Sequence, residues 1–299
     1  MCGSNGRLVG RLYCPMKRDI FFKQCSIVII FAWLLFFALL PFTLVLVGGF
    51  LTGGTNEFLS WHFTLQSYAD LFQLLYLRIF LRSFYLAGIT AIICLILAYP
   101  FAYIMSKFSE NVRLFWMLIL IIPFWTSSLM RIYSIIIVIR VKGWFNGFLL
   151  WAGLIHQPLH LMYTQTATLI GLVYTLLPFM ILPLYANLEK FNWTLLDAAR
   201  DLGAKQLRRL FKIVIPLTLP GIIAGMLLVL LPAMTMFYVP DILGGAKSLL
   251  LGNLIKNQFI EAYNWPLGCA VSVMLTVVMV VMIAFYWKMT TPKERRELM

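Results

Sequence analysis

An all-α integral membrane fold with six transmembrane helices is predicted from three observations. Hydrophobic residues fill 62% of the 299 positions and charged residues only 12%, about half the charged share of a soluble domain. Apolar runs long enough to cross a hydrocarbon core of about 30 Å recur along the chain. The 24 Lys and Arg, against 11 Asp and Glu, fall mostly between those runs. A net charge of +13 would draw a soluble protein to nucleic acid. In a chain this apolar it belongs to basic loops that set topology, and no nucleic-acid partner is expected. The composition also leaves no room for a large soluble enzyme. The five cysteines, Cys2, Cys14, Cys25, Cys94 and Cys269, contain no C-x-x-C pair or zinc spacing and read as unpaired thiols, with no metal expected.

The chain opens with a basic tail, residues 1–25, carrying Arg7, Arg11, Lys17, Arg18 and Lys23. The membrane-spanning body covers 26–288, and a second basic tail closes the chain over 289–299. The first span is Ile27–Val47, longer than the apolar region of a signal peptide and therefore read as uncleaved. Residues 48–80 are mixed in polarity and read as an external segment. The second span covers 82–104, between Arg82 and Lys107, and the third 114–138. Arg131 lies inside the third pattern, either snorkelling to the outer interface or lining an internal polar path. Glycines and aromatics between Arg140 and Gln165 indicate a short helix at the outer surface. His156 and His160 have the spacing of a metal pair, but Pro158 between them opposes the helix that pair requires. The fourth span is 166–187, with Pro178 and Pro183 inside it, the fifth 217–239 and the sixth 264–287. Gly221 and Gly225 form a G-x-x-x-G surface for close helix packing, within the subunit or between subunits.

Six spans place both termini and the segment 188–213 on one side. The opposite side receives Arg78, Arg82, Arg131, Arg140, Lys142, Lys247 and Lys256, and the first side the remaining majority of the 24 cations. The positive-inside rule then makes the termini and 188–213 cytoplasmic. That segment is the most polar of the body. Lys205, Arg208, Arg209 and Lys212 follow one another within it, and at about 2.5–3.5 kcal/mol each their burial at mid-bilayer is prohibitive. Thr194 to Asp197 has the form of a capping box. Leu195, Ala198, Ala199 and Leu202 recur at helical spacing, and Gly203 is placed to stop the helix. Small residues give this short helix little grip on lipid but allow close insertion into a groove. The basic helix after it carries Leu207, Leu210, Phe211 and Val214 as an opposing stripe, and reads as the return to the membrane surface.

Asp197-Ala198-Ala199, then Gly203, then Ile213 to Pro216 resembles the E-A-A motif of the binding-protein-dependent permeases of ABC importers. The resemblance implies a type I importer (MetI-like) architecture whose short helix docks on an ATP-hydrolysing subunit. Carried over position by position, it implies contact roles for Asp197, Ala198, Ala199, Asp201 and Gly203, with Asp standing where the motif has Glu. The stretches Pro123 to Tyr133, Leu177 to Met180 and Tyr238 to Lys247 are similar to the B-type subunit of the spermidine/putrescine permeases within that family. A multi-pass location in a bacterial inner membrane is implied. So are a second, C-type permease subunit forming a heterodimer, two copies of a cytoplasmic ATPase and a periplasmic polyamine-binding protein. ATP and Mg would be used by the ATPase, this chain holding no cofactor and catalysing nothing itself. Gly244-Gly245-Ala246-Lys247-Ser248 lacks the glycines of a phosphate-binding loop.

A polyamine site should pair carboxylates with aromatic faces. The outer acidic residues are Glu57, Asp70, Asp241 and Glu261, of which Asp241, after Tyr238, best fits a pathway mouth. It also fits a loop turn or a contact with the binding protein. Trp125 and Tyr133 are aromatic candidates for the pathway or for an interfacial belt. Three other classes remain: the same machine with another solute, a membrane-embedded lipid transferase, and a passive channel.

Overall fold

Apolar helices dominate the computed structural model, which describes residues 17–52, 60–245 and 248–289. Residues 1–16 of the first tail, the second tail beyond Met289, Glu57 and Lys247 lie outside the described residues. α1 (Lys17–Gly48) is apolar around its whole circumference from Ser26 onward, as a bilayer-crossing helix should be. It begins inside the expected tail 1–25, because Lys, Arg and Gln prolong a helix at little cost. The chain divides after Val47, so α1 is one unit and everything from Gly48 another.

In the second unit a two-strand antiparallel ribbon, β1 (Leu51–Thr52) and β2 (Ser60–Phe63), precedes α2 (Gln66–Leu71). α3 (Leu74–Met105) starts earlier than the span expected at 82. The run expected as one span over 114–138 is broken: α4 (Glu110–Ile121) passes into a 3₁₀ turn at Ile122–Trp125, and α5 (Ser128–Ile139) starts anew. Pro123 lacks the amide that would continue the ladder. The Thr126 hydroxyl donates to the Pro123 carbonyl at 2.7 Å, which ends the turn. By length and composition the crossing stretch here is Ser128–Trp151, which includes α6 (Trp144–Trp151), the short helix expected after Arg140. Asn146 secures this region. Its buried amide donates to the carbonyls of Arg140, Val141 and Leu159 and accepts from the Leu159 amide.

α7 (Gln165–Glu189) carries Pro178 and Pro183 within it and begins at Thr164, whose hydroxyl accepts from the Ala167 amide. Then follow α8 (Thr194–Asp201), α9 (Gln206–Arg209), a π turn (Leu210–Val214), α10 (Ile215–Leu217) and α11 (Leu219–Thr235). A second π turn (Pro240–Gly244), α12 (Leu251–Ile260) and α13 (Trp265–Met289) complete it. Among the described residues, five stretches are long and apolar enough to cross a membrane, and six if the bent pair Gln206–Leu217 and Leu219–Thr235 counts as one span.

The core lies where α3, α7 and α11 meet. Ala87, Ala91, Ala98 and Ala102 form the buried face of α3, and small side chains let neighbouring backbones come close. Gly221 and Gly225 do the same for α11 within this subunit. A Cβ on Gly221 would stand 2.7 Å from Asn187 Cβ, and one on Gly225 2.6 Å from Met180 Sδ and 3.3 Å from Pro183 Cγ. α12 is tied to α3 by the Ser83 hydroxyl, which accepts from the Leu251 amide at 2.9 Å.

Gly225→Leu should therefore overpack the α7–α11 seam and lower stability by about 1–3 kcal/mol. Gly88→Ala, where a Cβ meets nothing within 4 Å, should be neutral or gain up to about 1 kcal/mol from helix propensity. Thermal unfolding in detergent, comparing the two variants with the parent, reads the contrast.

Candidate coupling site

α8 and α9 form a compact polar hairpin after the end of α7. Phe191 and Trp193 turn the chain, their rings 5.2 Å apart, and Trp193 meets Tyr103 at the end of α3 with centroids at 5.8 Å. The start of α8 is not the capping box read from Thr194 and Asp197. Asn192 lies one residue outside the cap position, and its Oδ1 accepts from both the Thr194 amide (3.1 Å) and the Thr194 hydroxyl (2.7 Å). With its hydroxyl already committed, Thr194 does not bond back to the helix.

The end of α8 is closed by a Schellman motif. The Gly203 amide donates to Arg200 O at 2.9 Å and the Ala204 amide to Ala199 O at 3.0 Å, the paired bonds that define it. Gly203 sits at φ +77°, and a Cβ there would meet nothing within 4 Å, so backbone conformation alone demands glycine. Leu196 is the buried anchor of the helix. Arg209 Nη1 donates to Leu196 O at 3.2 Å and locks α9 onto α8.

α8 turns its residues to different neighbours. Ala198 and Asp201 are exposed together with Leu195 and with Leu202, which is 89% exposed. Ala199 is half-buried. Asp197 and Arg200 lie along the flank that lines a cavity of about 500 Å³ with Tyr103, Lys107, Trp193 and Arg209. Leu195 and Leu202 leave two large apolar side chains exposed on the face that also carries Ala198, and their signal in sequence is a seven-residue spacing interrupted by nothing larger than Ala on the same face.

Beyond α9 the chain must re-enter the bundle, and it does so through a 68° bend between Gln206–Leu217 and Leu219–Thr235. Pro220 removes an amide and its ring displaces the carbonyl four residues earlier. Buried Thr218 stands at the bend, its hydroxyl donating to Val214 O at 2.8 Å and facing Tyr99 Oη at 3.1 Å. The π turn Leu210–Val214 just before it widens the helix where the ladder is already disturbed. At the other approach, Arg113 pairs with Glu189 at the end of α7 at 3.2 Å.

The four pathway candidates do not gather into one site. Asp241, in the second π turn, accepts from Lys256 Nζ at 2.7 Å and from the buried Asn253 amide, and Lys256 also reaches Glu261 at 3.7 Å. The Asp241 hydrogen bond holds the Lys256 ammonium above the usual lysine range. The Tyr238 hydroxyl donates to Met236 Sδ at 3.8 Å. Trp125 is 85% exposed at the end of its 3₁₀ turn, and Tyr133 is 56% exposed on α5. Arg131, two positions from Tyr133, is directed elsewhere: it stacks on Phe124 at 5.5 Å and lines a cavity of about 310 Å³ with Trp116, Tyr174, Leu177 and Pro178. The lining of that cavity is mostly apolar, unlike the polar path expected for Arg131. His156 and His160 lie in irregular chain, and among the described residues no three His, Cys, Asp or Glu cluster.

Residues 96–288 match the family model described as the binding-protein-dependent transport system inner membrane component. The chain is 48% identical over 273 residues to the spermidine/putrescine transport system permease protein PotB of Salmonella typhimurium (strain SL1344), covering 91% of this chain and 95% of that protein. Against PotB of Escherichia coli (strain K12) the identity is 49% over 262 residues, covering 88% and 95%. The inner membrane ABC transporter permease protein YdcU of Escherichia coli (strain K12) is 30% identical over 237 residues, covering 75% and 74%. Among solved structures, a chain of a bacterial ABC transporter involved in the import of the acidic polysaccharide alginate superposes with a TM-score of 0.72 at 17% identity, over 94% of this chain and 98% of that one. The fold is thus that of an ABC importer permease.

The Schellman geometry makes a graded prediction. Gly203→Asn, which tolerates the left-handed region, should loosen α8 less than Gly203→Val, which should cost about 1–2 kcal/mol. Hydrogen exchange of the amides of residues 196–204 should rise in that order.

Proposed function

The chain belongs to the family of binding-protein-dependent transport system inner membrane components, and we propose that it is the B-type permease subunit of an ATP-driven importer of spermidine and putrescine. The observation that carries the solute is identity of 48–49% to PotB proteins over about nine-tenths of the chain. The partners in this reading are a second, C-type permease subunit, two copies of a cytoplasmic ATPase and a periplasmic polyamine-binding protein. ATP and Mg act on the ATPase, and this chain is a non-catalytic subunit. Its termini and the segment 188–213 face the cytoplasm, in keeping with the excess of Lys and Arg on that side.

In this mechanism α8 is the part the ATPase moves. Asp197, Ala198, Ala199, Asp201 and Gly203 give its position and shape, and Leu195 and Leu202 fill the apolar part of the partner's groove. The Arg209 bond to Leu196 O makes α8 and α9 move as one. The bend at Thr218 passes that motion to α11, and the glycines Gly221 and Gly225 pass it to α7. Closing of the ATPase pair on ATP then opens the spans outward, to receive polyamine from the binding protein.

At the outer mouth Asp241 is the candidate carboxylate, and Lys256 already holds the place a substrate ammonium would take. Trp125, Tyr133 and Tyr238 are the aromatic candidates along the path.

Uptake of labelled spermidine and putrescine by liposomes holding the four-component complex tests the solute. ATP-dependent accumulation of either is expected; accumulation of a different solute alone would remove the polyamine and leave the family intact. In the same liposomes Gly203→Trp and Asp197→Lys should leave ATP hydrolysis running while uptake falls, and full uptake in both would sink the assignment of α8. Asp241→Asn should raise the KM for uptake, and Lys256→Gln, which frees the carboxylate, should lower it. Equal KM values in the two variants would exclude Asp241 from the path.

A further inference from the structure

The cavity behind α8 does not end at its polar walls. A second cavity, also about 500 Å³, is lined by Tyr99, Pro100, Tyr103, Gln206, Leu207 and Leu210. Tyr103, Gln206 and Leu210 line both, so the two form one groove between the C-terminal half of α3 and the returning helix α9. One end is cationic. Lys107, Arg200 and Arg209 line it against the single carboxylate of Asp197. Among the described residues none of the three cations makes an ion pair. The other end is apolar and aromatic.

The cationic end is also ordered in advance. Lys107 Nζ lies 4.2 Å from the Tyr103 ring centroid and 5.4 Å from that of Trp193, which fixes the ammonium without neutralising it. Arg209 Nε is buried with no hydrogen-bond partner, while its Nη1 is held by Leu196 O. Leu207 and Phe211 on the same returning helix are 70% and 63% exposed. With Lys205, Arg208 and Lys212 beside them, they give the helix the form of one lying in a membrane interface.

We propose that this groove is a site for an anionic phospholipid. The phosphodiester lies against Lys107, Arg200 and Arg209, and an acyl chain runs over Tyr99, Pro100, Leu207 and Leu210. The net positive lining selects the anionic headgroup over a zwitterionic one. Continuity with the apolar end selects a lipid over free phosphate. A bound lipid would join the end of α3 to the α8–α9 hairpin at the place where the hairpin has to move. The proposal holds whichever solute is carried.

Native mass spectrometry of the intact transporter, released from nanodiscs of mixed phosphatidylglycerol and phosphatidylcholine, tests it. Phosphatidylglycerol should be retained preferentially by the parent. Lys107→Gln with Arg200→Gln should lower its retention about tenfold, whereas Lys205→Gln with Lys212→Gln, outside the groove, should not. Leu207→Gln should weaken retention of both lipids alike. Should the double variant fail to assemble, Lys107→Gln alone must still reduce retention and Lys107→Arg must preserve it. Equal retention of the two lipids by the parent, or no change in the Lys107 variant, overturns the proposal. So does displacement of the lipid by millimolar glycerol phosphate, the mark of a small-anion site. A Gln206→Cys crosslink to a partner subunit across the groove also overturns it, because protein would then be the occupant.

Discussion

The bend at Thr218 is the constraint on which the arrangement of the polar hairpin α8–α9 depends. Four cations in the stretch 205–212 cannot enter hydrocarbon, and the apolar α11 cannot stay out of it. The chain must change direction between them within a few residues. Pro220 breaks the ladder at the required point by withholding the amide that would serve the Pro216 carbonyl, and Thr218 just before it is held by both its amide and its hydroxyl on Val214 O. A straight helix through this region would drag Arg208, Arg209 and Lys212 toward the bilayer or pull α11 out of its seam with α7. The bend also sets the angle at which α9, and α8 locked to it, meets whatever docks from the water.

A single hydrogen bond from Arg209 to Leu196 O is weak on its own, about 1.5–3 kcal/mol for a charged donor. Its effect comes from where it acts. α8 has eight residues, α9 only four, and neither is long enough to be stable alone in water. Leu196 below, the Schellman turn at Gly203 and the Arg209 bond behind it together make one rigid piece from two marginal ones. In the proposed coupling this rigidity would let the pair pass motion to α11, where a helix that melted under load would absorb it.

The apolar runs and the glycine stop were legible in the sequence because burial and backbone geometry act locally. Ile27–Val47, the fourth span and Gly203 fall where hydropathy and turn chemistry put them. The third run misled because a window average cannot sense that Pro123 meets Thr126, so one apolar stretch became α4, a turn and α5. The helix start at Asn192 was hidden for a related reason: a side chain one residue outside the cap takes the bonds that the pattern assigned to Thr194. Arg131 was readable as important but not as placed, since which way a cation turns depends on Phe124 and Tyr174 from other segments. The partners of Asp241 were equally out of reach, Asn253 and Lys256 lying twelve and fifteen residues away on another helix.

That last contact bears on how a cation could be handled at the outer face. Paired with Lys256 at 2.7 Å, Asp241 is not a free carboxylate, and a solute cation would have to displace that ammonium to reach it. The Lys256 ammonium stays protonated across the neutral range, because the same hydrogen bond raises its pKa. The pair contributes fully below the unfolded lysine value and is lost only as pH rises through the raised folded value. Competition is thus set by the number and spacing of charges on the solute, not by pH. A molecule with several ammonium groups could meet Asp241 with one and Glu261 with another, which a monovalent cation cannot do. Discrimination would follow from exchanging one tethered amine for a chain of them.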